Sequence, residues 1–230
     1  MNIEFCTKAE KEGCAVEKTN RNFLAIDTSC SYLTVVACKG DKAYTVFKPD
    51  CAMKHSVSVM PAVEEALQKA DLTLEECDFF SAVVGAGSFT GIRIGISAVK
   101  GLCLAFGKPA LPVTSFDVAA YNAIDGEEKL LCLVDALHGS YYVCGYQKGE
   151  VVYPPSYVEE AEVLRLAQEG YRLLAASECP LQGAAVEMVD PAIGLQKAVS
   201  ALADKGAFGD LNALYIRKSS AELNAEKAEK

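Results

Sequence analysis

Gly85-Ala86-Gly87-Ser88-Phe89-Thr90-Gly91-Ile92-Arg93-Ile94-Gly95 stands between a run that reads as a buried strand, Asp78 to Val84, and one that reads as a helix, Ile92 to Phe106. Glycine at such a junction permits positive φ and lets another backbone come close. The helix that follows offers free N–H groups and the positive end of its dipole. The stretch is therefore a candidate anion site, with Gly87, Ser88, Thr90 and Gly91 as its donors. It is neither of the standard nucleotide fingerprints. Thr90 stands where the dinucleotide form needs its last glycine, and the Gly-Lys-Ser/Thr of the P-loop is absent. A tight strand-to-helix turn that holds no ligand fits the same residues.

Before this loop, Asn22 to Asp27, Tyr32 to Cys38 and Ala43 to Lys48 read as three strands, the last two joined by the turn Lys39 to Lys42. His55 to Ala70 carries Val59, Met60, Val63, Leu67 and Ala70 at helical spacing, and Pro61 is expected to set the helix start near Met60 or to kink it there. After the loop, Gly107-Lys108-Pro109 ends the second helix and Ala110 to Val113 is a short strand. Thr114-Ser115 then caps a helix over Phe116 to Ile124.

The order of elements then starts again. Lys129 to Asp135, Tyr141 to Gln147 and Val151 to Tyr153 read as strands, the last stopped by Pro154-Pro155. A helix over Val158 to Gln168, a strand over Tyr171 to Ala175 and a helix over Pro191 to Ala203 follow. Two β-β-β-α-β-α units, the second one reduced, define an α/β chain of the actin-like/sugar-kinase (ribonuclease H-like) class, with mixed sheets covered by helices. The expected organisation is an extension outside the fold over residues 1–22, subdomains over 23–125 and 126–220, and a tail over 221–230.

The 230 residues are 51% hydrophobic and 23% charged, enough for a substantial core, and carry a net charge of −9. An acidic chain is a poor partner for a phosphate backbone, so any RNA it serves is expected to be held by something else. No run reads as long and apolar enough to span a bilayer, and residues 1–22 lack the apolar core of a secretory signal. The ten cysteines include no CxxC pair and are expected to be reduced, buried thiols.

Asp27 and Asp135 end the first strands of the two units. Each fits two roles: a phosphate-facing carboxylate, or a strand end accepting backbone N–H bonds. Thr28-Ser29-Cys30-Ser31 follows Asp27, with no glycine before Gly40, which reads as a degraded phosphate turn. The helix Ile92 to Phe106 is apolar on two faces, with only Arg93, Ser97 and Lys100 as a polar strip. It therefore needs two partners, its own sheet and either the first helix or another chain.

Gly85 to Gly95 resembles the GPGSFTGIRIG signature of the TsaB (YeaZ-type) family, part of the bacterial tRNA threonylcarbamoyladenosine machinery. Leu24 to Ser29, His55-Ser56 with Met60-Pro61, Ile96 to Leu102, Pro112 to Ser115, Val134 to Ala136 with Gly139, and Leu214 to Arg217 fall in family order. The likeness runs from about Phe23 to Lys218. It departs at Ala86 (usually Pro), Leu137 (usually Arg) and Ala213 (usually Pro), and Leu137 leaves any polar role of that Arg without a carrier.

The resemblance implies a non-catalytic scaffold that pairs with a catalytic TsaD-type subunit and helps recruit a TsaE-type ATPase in the cytoplasm, with tRNA contacted only indirectly. Pairing would use the two N-terminal helices, through Met60, Val63, Leu67, Ile94, Ala98 and Leu102, and a homodimer could use the same surface. No catalytic residue, metal or tightly bound cofactor is implied, and ATP or ADP would sit at the interface of the assembled complex. The TsaD subunit carries a metal-binding histidine pair in its first long helix; here His55 is alone, is expected to cap the helix or lie at the surface, and has only His138 as company elsewhere. Asp27, Thr28, Ser29, Gly87, Ser88, Thr90 and Gly91 are the candidate nucleotide or phosphate residues. The alternative is a stand-alone nucleotide-binding kinase or ATPase of the sugar-kinase type. The peptidase name attached to the superfamily finds no nucleophile–base pair.

Overall fold

The computed structural model describes residues 21–217. Of the expected extension and tail, residues 1–20 and 221–230 lie outside the described residues, but Arg21 and Asn22 belong to the fold. Arg21 donates to the Ala203 carbonyl at 2.7 Å, and the Asn22 carbonyl accepts from the Asp78 N–H at 2.7 Å.

The first sheet joins β1 (Phe23–Asp27), β2 (Leu33–Lys39), β3 (Lys42–Lys48), β4 (Phe79–Val83) and β5 (Ala110–Val113) in the order β3-β2-β1-β4-β5. The central strands β1 and β4 are buried on both faces and read as continuous apolar runs. The edge strand β3 alternates. Helices α1 (His55–Ala70) and α2 (Phe89–Phe106) cover one face, where Ile26, Val35, Val63, Phe80 and Val99 form a core.

The second sheet contains β6 (Lys129–Asp135), β7 (Ser140–Gln147), β8 (Glu150–Glu159), β9 (Tyr171–Ala175) and β10 (Glu187–Met188) in the order β10-β9-β6-β7-β8. Taken from the other edge, that order repeats the first sheet strand for strand, down to the antiparallel β6–β7 and parallel β6–β9 pairs. α4 (Glu160–Gln168) occupies the place of α1, but between β9 and β10 there is no helix in the place of α2. Residues 176–186 fill the gap as irregular chain, and the helix read over Pro191 to Ala203 directly after the Tyr171 to Ala175 strand follows only after β10.

Two helices cross between the halves. α3 (Ser115–Ala120) follows the first sheet yet packs on β6, β7 and β9. α5 (Pro191–Asp204) follows the second sheet yet covers β1, β2 and β5. They meet at Gly194, where an added Cβ would lie 1.9 Å from the Val118 carbonyl oxygen. Residues 207–217 then run back over the first half as a strap. Gly209 donates to the Ala110 carbonyl at 3.0 Å, Leu214 donates to Val84 at 2.7 Å, and Leu211 enters the α1/α2 core.

Several boundaries differ from the sequence reading for physical reasons. α1 runs through Pro61, because the proline lies on the exposed side, where solvent can serve the carbonyl it leaves unpaired. α2 begins at Phe89, ahead of Ile92, because the Ser88 side chain caps it by accepting the Gly91 N–H at 3.2 Å. β8 continues through Pro154-Pro155, tolerated on an edge strand that pairs only with β7 across a bulge. α2 also has the length and apolar composition of a helix able to cross a membrane, contrary to the expectation that no run would; Ile92, Ile96, Val99 and Leu102 pack it on its own sheet. The eight described cysteines are free, six of them inside the core clusters.

Candidate functional site

The two sheets point the ends of β1 and β6 into a cleft of about 780 Å³. Its floor is the turn after β1, its walls the glycine loop and the turn after β6, and the strap adds Leu214, Tyr215 and Arg217.

The turn after β1 is closed on itself. Asp27 is fully buried, and its Oδ1 accepts the Ser29 N–H at 2.8 Å and the Ser29 hydroxyl at 2.7 Å. Its Oδ2 accepts the Tyr32 hydroxyl at 2.9 Å. Burial raises the Asp27 pKa, opposed in part by these hydrogen bonds. Of the two roles open to Asp27, the strand-end acceptor is the one its geometry fills. His55 is buried too, neither a cap nor a surface residue, and its Nε2 donates to the Tyr32 carbonyl at 2.9 Å.

The glycine loop docks on this turn. The Thr28 hydroxyl donates to the Gly91 carbonyl at 2.7 Å, and the Ser88 N–H donates to the Ser29 carbonyl at 2.7 Å. A Cβ at Gly87 would lie 2.2 Å from the Ser29 carbonyl oxygen, and one at Gly91 would lie 2.0 Å from that of Thr28. Those two glycines are needed for close backbone packing within the protein. The structure thus brings Asp27, Thr28, Ser29, Gly87, Ser88 and Gly91 together, while Thr90 faces solvent on the first turn of α2. Of the seven, Ser29, Gly87 and Ser88 line the cleft.

The turn after β6 is open. Asp135 lines the cleft and is half-buried, with Oδ1 accepting the Leu137 N–H at 2.8 Å. Leu137, His138 and Gly139 all have positive φ (65°, 57° and 73°), and Leu137 stands exposed where the resembled family carries Arg. Cys30 also lines the cleft, but burial and the Asp27 carboxylate push its thiol up to about 11, far from a nucleophile.

Sequence reasoning missed the aromatic equipment of the cleft mouth. Phe89 and Tyr215 stack with centroids 4.9 Å apart, and Arg93 lies 3.7 Å over Phe89 while its Nε donates to the Tyr215 hydroxyl at 2.9 Å. From the second half, Tyr142 packs 5.7 Å from Tyr157, whose hydroxyl accepts from Arg217 at 3.3 Å. The only signal was the Leu214-Tyr215-Ile216-Arg217 motif, which periodicity cannot place beside residues more than 120 positions earlier.

The proposed pairing residues divide. Val63 and Leu102 are 1% and 8% exposed and belong to the α1/α2 core, so they cannot form the contact expected of them. Met60 is exposed, and Leu67, Ile94 and Ala98 are half-buried. The face also presents Val57 and Leu104, 72% and 88% exposed, which the apolar-stripe reading did not select. Among the described residues, no three His, Cys, Asp or Glu side chains gather into a group able to hold a metal.

Two mixed sheets of repeated topology, closing on a cleft at the ends of their central strands, define a protein of the actin-like/sugar-kinase class. A solved structure described as an uncharacterized Pseudomonas aeruginosa protein with similarity to peptidase YeaZ superposes with a TM-score of 0.72 at 23% identity, covering 86% of this chain and 100% of that one. A family model described as TsaD, tRNA N6-adenosine threonylcarbamoyltransferase, matches residues 43–230. The chain belongs to that family, as a protein of the TsaB/YeaZ type. It is 30% identical over 150 residues to the tRNA threonylcarbamoyladenosine biosynthesis protein TsaB of Bacillus subtilis, covering 64% of this chain and 66% of that one. It is 31% identical over 129 residues to the Escherichia coli protein of the same description, covering 55% of each. The chain thus spans between about half and two thirds of the length of the curated relatives it matches.

Proposed function

We propose that this chain is a non-catalytic scaffold subunit in tRNA threonylcarbamoyladenosine biosynthesis, pairing in the cytoplasm with a TsaD-type catalytic subunit and helping to recruit a TsaE-type ATPase. The observation that carries the proposal is the α1/α2 face, where Val57, Met60 and Leu104 stand exposed beside half-buried Leu67, Ile94 and Ala98. Large apolar side chains left exposed on the outer side of two adjacent helices, with Leu104 among Arg93, Ser97 and Lys100, fit an interface better than a solvated surface. The same face would serve a homodimer at rest. ATP or ADP would act at the interface of the assembled subunits, because the turn after β1 has its donors and acceptors already engaged. That engagement also weighs against a stand-alone kinase. The net charge of −9 favours tRNA held by the partner.

The test is co-purification with the TsaD-type subunit of the same organism, followed by size-exclusion chromatography with light scattering. A one-to-one complex is expected, weakened by about thirtyfold in Val57→Glu or Leu104→Glu, the loss of one hot-spot side chain. Leu102→Glu would unfold the core and says nothing about pairing. No complex with the wild-type chain, or variants that pair as tightly as it does, would reject the scaffold reading.

A further inference from the structure

The two long edge strands, β3 and β8, are guarded to different degrees. β8 carries Pro154-Pro155, which bring no N–H, and its pairing with β7 slips twice, so its outer edge is a poor template for a further strand. β3 has neither device. It contains no proline and pairs with β2 in unbroken register from Lys39↔Lys42 to Leu33↔Lys48. The tight turn Gly40-Asp41 makes Lys39 and Lys42 a hydrogen-bonded pair, so Ala43, Thr45 and Phe47 turn their N–H and C=O groups away from β2. None of those groups has a partner among the described residues. Tyr44 and Phe47 stand exposed at the same edge.

The chain itself has a segment with the pattern of a strand within reach. Residues 1–20 lead into Arg21 and Asn22, and the Asn22 side chain accepts the Gly40 N–H at 3.0 Å, which fixes the chain beside the turn from which β3 starts. In Asn2-Ile3-Glu4-Phe5-Cys6-Thr7, Ile3, Phe5 and Thr7 alternate with Asn2, Glu4 and Cys6, a period of two in residue types suited to a strand. A strand added to β3 lies three strand spacings from β1, about 14 Å. Residues 8–20 reach up to about 43 Å, so the connection closes with slack. Charge agrees with this occupant. Lys42 and Lys48 flank the open edge without an ion pair among the described residues, and Glu4 brings the opposite sign. A second copy of β3 is the poorer fit, because antiparallel pairing about Thr45 sets Lys42 of one copy against Lys48 of the other.

We propose that Asn2 to Thr7 add to β3 as a sixth strand of the first sheet, bonding to the open N–H and C=O groups of Ala43, Thr45 and Phe47. The added strand runs antiparallel to β3, because its far end must return to the Lys42 end of the sheet, where Arg21 stands. The proposal is independent of the scaffold reading, since it concerns a strand edge within one chain and not the exposed side of α1 and α2.

Hydrogen exchange, read by mass spectrometry over a peptide spanning Lys42 to Lys48, compares the full-length chain with two variants. One lacks residues 2–7. The other combines Glu4→Pro with Phe5→Pro, which removes two successive N–H groups, one of which must face β3 if the segment is a strand. The amides of Ala43, Thr45 and Phe47 are expected to exchange at least about tenfold more slowly in the full-length chain than in either variant, with Phe23–Asp27 unchanged. Equal exchange of β3 in all three chains, whether fast or slow, would overturn the proposal. So would protection that persists in both variants and rises with protein concentration, which would give the edge to a second copy. None of these outcomes bears on pairing through Val57 and Leu104.

Discussion

The turns after β1 and β6 occupy the same place in two sheets of the same topology, yet one is sealed and the other open. Asp27 is fully buried under three hydrogen bonds, while Asp135 is half-buried with one and faces the cleft. The cause lies one connection further on. In the first half, β4 leads through the glycine loop into α2, whose first turn packs on Thr28 and Ser29. In the second half, β9 leads into irregular chain with no helix to press on the turn. A motif that looks like a phosphate cradle can thus be consumed by internal packing, while its unremarkable counterpart is left able to meet a ligand.

The comparison breaks most sharply at the glycines. Gly91→Ala places a Cβ 2.0 Å from a backbone oxygen and should destabilise by about 4 kcal/mol in chemical denaturation, the range of severe overpacking. Gly139→Ala has a φ of +73° and no atom within 4 Å, so it should cost only the left-handed backbone term, about 1 kcal/mol. Equal losses at the two positions would mean that α2 does not seal the first turn.

The carboxylates come next. Asp27→Ala orphans the Tyr32 and Ser29 donors and should cost about 3 kcal/mol, against less than about 1 kcal/mol for Asp135→Ala. Asp27 also predicts a pH signature. Its folded pKa is raised above the ordinary 3.8, so the folded state holds the proton more tightly. Its contribution is complete below about pH 3.8 and is lost as pH rises through the raised value. The stability of the wild type relative to Asp27→Asn should therefore fall as pH increases from that point. A rising difference would mean that the hydrogen bonds outweigh burial.

The smallest effect is at Thr34, which pairs in register with Asp27 and whose buried hydroxyl has no partner. Thr34→Val should leave stability unchanged or raise it by up to about 1 kcal/mol in the same denaturation assay. A loss would show that the hydroxyl serves the sealed turn after all.

Much of this was legible in the chain. Continuous apolar runs such as Phe23–Asp27 and Phe79–Val83 announced central strands, and Thr114-Ser115 announced a capped helix. Boundaries slipped where an edge position or a cap overrode propensity, as at Pro154-Pro155 and Ser88. Burial along α1 and α2 was misjudged at Val63 and Leu102, because a two-faced apolar helix does not say which stripe meets its sheet. The site was the least legible part. Glycine and aspartate mark turns, but only tertiary packing shows that Asp27 bonds to its own turn and that Tyr215 stacks on Phe89, 126 residues away in sequence.

The strap has a consequence for the order in which the molecule is made. Leu211 completes the core under α1 and α2, and Leu214 bonds to the end of β4. The half that leaves the ribosome first therefore waits, with part of its interior uncovered, until the 95 residues after Phe116, up to Leu211, have been added. During that interval it is the half most in need of a chaperone, and the cleft cannot acquire its Tyr215 wall until the strap itself has been made.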